Sequence, residues 1–181
     1  MTETTTKSVA SLLADGTAAG SWLLDPAGSR AGFHVRNFWG AITVHGTFDS
    51  MTGQASVGQD GSMTARISLD ASSVNTKNKQ RDDHLRSADF FHADKHPHVV
   101  LTVTSARQAG PAELECQGTL EAAGQARPVT FNAHIEEATA SVVVLTAELT
   151  VDRAAFGMIW NRLRMVSMSA RGTVTARFTR P

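Results

Sequence analysis

The chain has 181 residues and a mass of 19.3 kDa, which fits one domain of ordinary size. Its 17 Lys and Arg residues balance 17 Asp and Glu residues, which argues against a nucleic-acid-binding protein, since such proteins normally carry a basic excess. Hydrophobic residues make up 41% of the chain, enough to build a buried core. The single cysteine, Cys116, excludes an intramolecular disulfide and any CxxC motif, and no apolar run is long enough for a transmembrane helix.

Residues 1–20 contain one Lys before a weakly apolar segment from Ser8 to Ala14 that is interrupted by Ser11. A secretory signal peptide needs a longer apolar stretch after its basic start. We therefore expect a flexible N-terminal extension over residues 1–20, one domain over residues 21–181 and a cytoplasmic location, with export left open.

From Trp22 onward the dominant hydrophobic period is two, as half-buried antiparallel strands require. The alternating runs cover residues 33–35, 42–48, 63–70, 99–103, 114–120, 129–135, 143–151 and 174–178. Turn signals are predicted at Thr52-Gly53, Asp60-Gly61, Gly110-Pro111, Ala123-Gly124 and Glu136-Glu137. About eight long antiparallel strands in one small domain favour a closed barrel or a sandwich, because both protect strand edges.

The alternation is lost between residues 75 and 96, where five basic and four acidic residues are interspersed. Asn, Ser and Asp offer helix-capping groups there, so we predict one or two short helices within a long connection. Long insertions in compact domains often form functional lids. The alternative is a solvated cover in which Leu85, Phe90 and Phe91 simply plug the core.

Five groups of residues carry a family resemblance when they are taken in chain order. They are Trp22-Leu23-Leu24-Asp25-Pro26 with Ser29 and Phe33-His34-Val35; Gly46-Thr47-Phe48 with Gly53; Ser73-Val74-Asn75-Thr76 with Asn78, the run Arg81 to Phe91 and Pro97; Gly118-Thr119-Leu120 with Arg127-Pro128-Val129; and Arg153 with Phe156-Gly157 and Trp160. Over residues 21–180 they resemble the YceI-like family. The resemblance implies an all-β fold, an extended eight-stranded antiparallel lipocalin-like barrel with a short helical insertion. It also implies a polyisoprenoid or related amphiphile bound along the barrel interior.

An eight-stranded barrel has room inside for packed side chains or for one small ligand. Small residues at inward positions would leave free volume for a ligand, or would simply match the taper of a filled barrel. These candidates are Gly46, Ala65, Cys116, Gly118, Ala133, Ala147 and Ala176. The chain has no tyrosine, and apolar aromatic walls suit an isoprenoid, an isoprenoid quinone or a fatty-acid-like ligand.

We accordingly expect the ligand to be bound by residues of the predicted barrel interior and of the insertion. These residues are Phe33, Val35, Phe38, Phe48, Leu85, Phe91, Phe156 and Trp160, with Arg81 and Asp82 near the mouth. Arg81 and Asp82 either bind the polar end of the ligand or, as we favour, clamp the insertion to the barrel rim.

An alternative interpretation is a metal-binding or enzymatic protein that uses the His- and Asp-rich segment 75–98. His92 and His96 are four residues apart, with further candidate ligands at His84, His98, Asp89 and Asp94. Pro97 disfavours helical geometry at His96, and the sequence contains neither HExxH nor GxSxG. We therefore expect no enzyme, no metal and no cofactor, and leave homodimerisation open.

Overall fold

The computed structural model describes residues 8–181, and these form an antiparallel sheet with two short α-helices. The helices are α1 (Val9–Ala14) and α2 (Lys79–Arg86). The strands are β1 (Gly20–Leu24), β2 (Arg30–Asn37), β3 (Ile42–Phe48), β4 (Met51–Val57), β5 (Met63–Asp70), β6 (Val74–Asn75), β7 (His98–Gln108), β8 (Glu113–Ala122), β9 (Gln125–Ala138), β10 (Val142–Asp152) and β11 (Ser169–Thr179).

The sheet closes into a barrel because β11 pairs with β1 and β2 as well as with β10. Three of the long strands are composite, which means that each consists of two consecutive segments. The segments β1 and β2 both pair with β11 and form the first composite strand. The segments β3 and β4 form the second and β5 and β6 the third, because β3 pairs with β2 and β6 while β4 pairs with β1 and β5. Residues 8–181 therefore form eight long strands, each paired with the strands before and after it along the chain. The predicted all-β, eight-stranded antiparallel barrel with a short helical insertion is confirmed.

The breaks in the three composite strands lie side by side. Short 3₁₀ turns at Pro26–Gly28 and Ala71–Ser73 are capped by the side chains of Asp25 and Asp70. Between them, the amide of Asp49 donates to the carbonyl of Ser73 at 3.2 Å. This hydrogen bond joins two neighbouring breaks, so these two backbone groups stay paired where the strands bend.

Two of the predicted turns are wrong. Thr52-Gly53 lies inside β4, where Gly53 pairs with Ile67, and Glu136-Glu137 belongs to β9. In each case the chain continues as a strand because the neighbouring strand supplies its hydrogen-bond partners, which local turn propensity does not register. The turns at Asp60-Gly61, Gly110-Pro111 and Ala123-Gly124 lie between strands, as predicted.

Residues 77–97, called the insert below, cover one end of the barrel. The insert contains α2, which begins at Asn78 because the side chain of this residue accepts a hydrogen bond from the amide of Arg81. The guanidinium of Arg86 donates to the carbonyls of Ser72 and Val74 at 2.8 and 3.1 Å, and these bonds hold α2 against the barrel wall. The predicted short helix in the long connection is therefore present.

Helix α1 covers the opposite end, called the α1 end. Leu12 is only 3% exposed and packs in a cluster with Leu114, Cys116 and Ile135. Helix α1 thus packs against the barrel through its apolar face, while the flexible extension expected for residues 1–20 stays a prediction. Residues 1–7 lie outside the described residues. Within residues 8–181, no helix is both long and apolar enough to cross a membrane.

Candidate ligand-binding site

A cavity of about 720 Å³, called the large cavity, lies inside the barrel beneath the insert. Its volume is within the range of pockets that hold one small-molecule ligand. The walls are mostly aliphatic side chains from opposite sides of the barrel, such as Val35, Leu69, Leu101, Leu149 and Val174. A cavity with such walls favours the long apolar part of a ligand over a polar one.

The large cavity reaches the surface between α2 and the loop that follows β10. Asn78, Gln80 and Trp160 line the cavity and are exposed, so they mark its mouth. The rings of His84 and Trp160 meet edge to face at this opening, with centroids 4.5 Å apart. A side chain of the insert and one of the loop therefore contact each other at the rim of the mouth.

Below the mouth, three phenylalanines form a cluster between the insert and the wall. The ring of Phe91 lies 5.4 Å from that of Phe48 and 6.4 Å from that of Phe33, and the last two are 5.8 Å apart. These are ordinary distances for aromatic pairs, and all three rings line the large cavity. The insert thus contributes both the cover of the barrel and part of its apolar surface.

Arg81 and Asp82 are held by one residue of the wall, Thr76. The Thr76 amide and hydroxyl donate to Oδ1 of Asp82 at 2.8 and 2.6 Å. Arg81 donates from Nε to the Thr76 hydroxyl at 2.8 Å and from Nη2 to the Thr76 carbonyl at 2.9 Å. Both side chains therefore clamp the start of α2 to the barrel, and Arg81 also lines the large cavity.

Eight of the ten predicted ligand-binding residues line the large cavity, and two do not. The eight are Phe33, Val35, Phe48, Arg81, Leu85, Phe91, Phe156 and Trp160. Asp82 is buried against Thr76, outside the cavity wall. Phe38 is 45% exposed and has a positive φ of 50°, so the tight turn between β2 and β3 directs it away from the cavity.

Arg153 lines the large cavity, although the sequence indicated it only as part of a family motif. It lies in a 3₁₀ turn directly after β10 and is only 5% exposed. Its Nη2 donates to the carbonyl of Trp160 at 3.2 Å and contacts Sδ of Met168 at 3.3 Å. Its guanidinium carbon lies 5.5 Å from the centre of the Phe90 ring, and burial lowers the pKa of Arg153.

A second space of about 160 Å³, called the small cavity, lies at the α1 end. Five of the seven small inward residues line it, namely Ala65, Cys116, Ala133, Ala147 and Ala176. Burial raises the pKa of the Cys116 thiol to about 11. The side chains of Ile67, Leu101 and Val174 line both cavities and so separate them.

The other two small inward residues leave no free volume. A Cβ at Gly46 would lie 2.4 Å from Cζ of Phe33, so the Phe33 ring occupies that space. A Cβ at Gly118 would lie 1.9 Å from the carbonyl oxygen of Thr102, at a point where β7 bulges toward β8. Among residues 8–181, none of the seven predicted small residues lines the large cavity.

The histidines of the insert do not gather around one point. The rings of His92 and His96 are 5.7 Å apart, while His84 contacts Asp89 at 2.9 Å. In the part of the chain that the structure describes, no group of three or more His, Cys, Asp or Glu side chains is arranged to hold a metal ion.

A sequence model described as the YceI-like domain matches residues 22–179. The chain belongs to the YceI-like family. Protein YceI of Shigella flexneri is 31% identical to this YceI-like chain over 121 residues, which are 65% of this chain and 62% of that protein. A UPF0312 protein of Vibrio cholerae is 28% identical over 118 residues, 64% of this chain and 62% of the relative. The matches thus span about three fifths of the length of these curated relatives.

Solved structures share the YceI-like barrel. BcnA of Burkholderia cenocepacia superposes with a TM-score of 0.77 at 18% identity, covering 85% of this chain and 98% of that one. A polyisoprenoid-binding domain of Saccharophagus degradans, implicated in plant cell wall breakdown, gives 0.74 at 17% identity over 88% and 98%. At these identities the likeness establishes the fold.

Proposed function

We propose that this YceI-like protein binds one long-chain amphiphile in the large cavity and sequesters or transports it. The amphiphile is a polyisoprenoid, an isoprenoid quinone or a fatty-acid-like molecule. The observation that carries the proposal is a large apolar space inside the barrel that reaches the surface beside Asn78, Gln80 and Trp160. The name of the Saccharophagus degradans domain, which shares this barrel, supports a polyisoprenoid.

Apolar burial supplies enough free energy for such binding. Each buried CH₂ contributes about 0.8 kcal/mol, so the favourable free energy of binding grows with the number of carbons that the chain buries. Loss of translational freedom and ordering of the flexible chain remove a large part of this gain. The net affinity therefore depends on how many carbons the large cavity accommodates.

The partition between the two cavities sets an expected limit on ligand length. Ile67, Leu101 and Val174 lie at the inner end of the large cavity. A chain that reaches these side chains gains further burial only by displacing them into the small cavity. We expect affinity to rise with each added CH₂, by about fourfold at most, and then to level off.

Two measurements test the proposal. Native mass spectrometry of protein purified without detergent, followed by organic extraction, should show a mass excess that extracts as a prenyl or acyl compound. A series of fatty alcohols and prenols of increasing length should compete with a fluorescent polyene probe and reach a plateau. A bare protein that takes up no member of either series would contradict the proposal.

The eight cavity-lining residues named above are proposed to contact the ligand, and Arg81 and Asp82 to hold the insert over it. A cytoplasmic location and a homodimer stay predictions, as do the lack of an enzymatic activity and of a cofactor.

A further inference from the structure

A buried arginine without a carboxylate partner is unusual, because burying a cation costs free energy unless an anion or a full set of acceptors accompanies it. Arg153 is such a residue. Its Nε is buried and has no hydrogen-bond partner among residues 8–181. No Asp or Glu of the described residues forms an ion pair with it.

The surroundings of Arg153 offer little compensation for its charge. One ring, Phe90, lies over the guanidinium at 5.5 Å, and the hydrogen bonds from Nη2 go to a carbonyl and a thioether. Burial is the cause that lowers its pKa, with no charge interaction opposing it. Arg153 also lines the large cavity, so a ligand in this cavity lies beside its side chain.

The ionisable side chains that line the large cavity are cationic or neutral bases. They are Arg81, His84 and Arg153, and among residues 8–181 no Asp or Glu lines it. Arg81 uses Nε and Nη2 on Thr76, and His84 contacts Asp89 at 2.9 Å. Arg153 thus differs from Arg81 and His84 in having a buried donor, Nε, without a hydrogen-bond partner among the described residues.

We propose that Arg153 binds the acidic head group of the ligand, and that the ligand is an anionic amphiphile whose carboxylate or phosphate lies just inside the mouth. The inference rests on the proposed function and specifies its ligand class. The head group accepts hydrogen bonds from the guanidinium and neutralises its charge, while the chain extends toward Leu101 and Val174. Charge-assisted hydrogen bonds of this kind are among the strongest in proteins.

The test compares ligands that differ only in charge. cis-Parinaric acid and its methyl ester share one fluorescent chain, and their affinities are measured by fluorescence titration of the full chain. We expect the acid to bind about 10- to 100-fold more tightly than the ester, as a hydrogen bond to a charged group would give. Farnesyl monophosphate and farnesol, competing against the probe, show whether phosphate or carboxylate is preferred.

Variants separate head-group binding from a structural role. Arg153→Met keeps the length of the side chain and should abolish the preference, so that acid and ester bind with the same affinity. Arg153→Lys keeps the charge and should retain part of the preference. Arg164→Met removes the same charge from an exposed position of the neighbouring loop and should leave the preference intact.

Each outcome decides a different question. Equal affinity of the wild-type protein for acid and ester overturns this inference but leaves the proposed function standing, and it needs no variant to fold. Equal weakening of both ligands in Arg153→Met means that Arg153 only holds the loop through Trp160, which also overturns it. Failure of the wild-type protein to bind either ligand overturns the proposed function and the inference together.

Discussion

The two ends of the barrel are built from the same alternating strands, yet one encloses about 720 Å³ and the other about 160 Å³. At the insert end, the cover is a polar segment tied down by Arg81 and Arg86 through backbone carbonyls. At the α1 end, an apolar helix packs Leu12 against Leu114 and Ile135 of the wall. The cover with the polar ties lies over the larger space, and the cover held mainly by apolar contact lies over the smaller one.

The ends also differ in charge. The lining of the large cavity includes Arg81, His84 and Arg153, while the lining of the small cavity, among the described residues, includes no ionisable side chain except the Cys116 thiol. An apolar space of the smaller size stays dry and stable without a ligand. The insert end therefore has the features of a binding site and the α1 end those of a packed core.

The largest expected effect comes from a charge placed at the insert end. Phe91→Asp puts an unpaired carboxylate on the wall of the large cavity, and we expect it to weaken binding of the parinaric methyl ester by at least about 100-fold. The barrel should stay folded, because Phe91 belongs to the insert and is only partly buried. Fluorescence titration measures the affinity and circular dichroism checks the fold.

Trp39→Asp is the matched control, because Trp39 is an aromatic side chain that is 74% exposed. This variant should bind the ester like the wild-type protein. If Phe91→Asp bound the ester as tightly as the wild-type protein does, Phe91 would not contact the ligand. The insert end would then have less support as the binding end of the barrel.

A leucine truncated at each end should cost different amounts of stability. Leu114→Ala at the α1 end removes a side chain that is only 7% exposed and packs in the cluster with Leu12, so we expect a loss of about 3 kcal/mol in the free energy of unfolding. Leu85→Ala at the insert end borders an existing space and loses fewer contacts, so we expect about 1 kcal/mol. Urea unfolding of ligand-free protein measures both.

Equal losses for the two leucines would mean that the insert packs as tightly as α1, against the large volume beneath it. Ester affinity gives a second comparison, since only Leu85→Ala should change it.

The smallest expected effect concerns access to the α1 end. With a pKa of about 11, the Cys116 thiol carries about 100-fold less thiolate at neutral pH than a thiol at its ordinary value of 9.0, so iodoacetamide should label it slowly. Raising the pH should increase the rate up to the region of pH 11. Leu12→Ala should raise the rate a few-fold, because it opens the cover over Cys116.

Leu163→Ala serves as the control for labelling, since Leu163 is exposed and lies near the other end. A rate in the wild-type protein equal to that of the urea-unfolded chain would contradict the burial of Cys116.

Local patterns predicted the wall of the barrel better than its interior. Alternation at Val143 to Val151 and at Val174 to Phe178 identified β10 and β11, because side chains of a strand point to opposite faces in turn. The same logic missed β4, where Gly53 resembles a turn and only pairing with β5 extends the strand. Strand pairing is a non-local interaction, so sequence propensity alone underestimates it.

The sequence predicted part of the site. The errors at Phe38 and Arg153 both depend on the conformation of the folded chain. The resemblance and the aromatic pattern led to Phe33, Phe48 and Phe91, which line the large cavity, whereas Phe38 points outward because of its positive φ. Arg153 was not singled out, since an arginine after a strand normally lies in solvent. Whether a cation is buried and unpaired depends on what the rest of the chain places around it.

By itself, the sequence determined the class of fold, the number of long strands and the position of the insertion, because these follow from hydrophobic period, capping residues and ordered motifs along the chain. Tertiary structure alone decided where the free volume lies. The small residues Ala133 and Ala147 line the small cavity, while the large cavity arises beneath the insert, whose side chains span the opening instead of filling it. Free volume is the difference between what the wall encloses and what side chains fill, and that difference exists only after the barrel has closed.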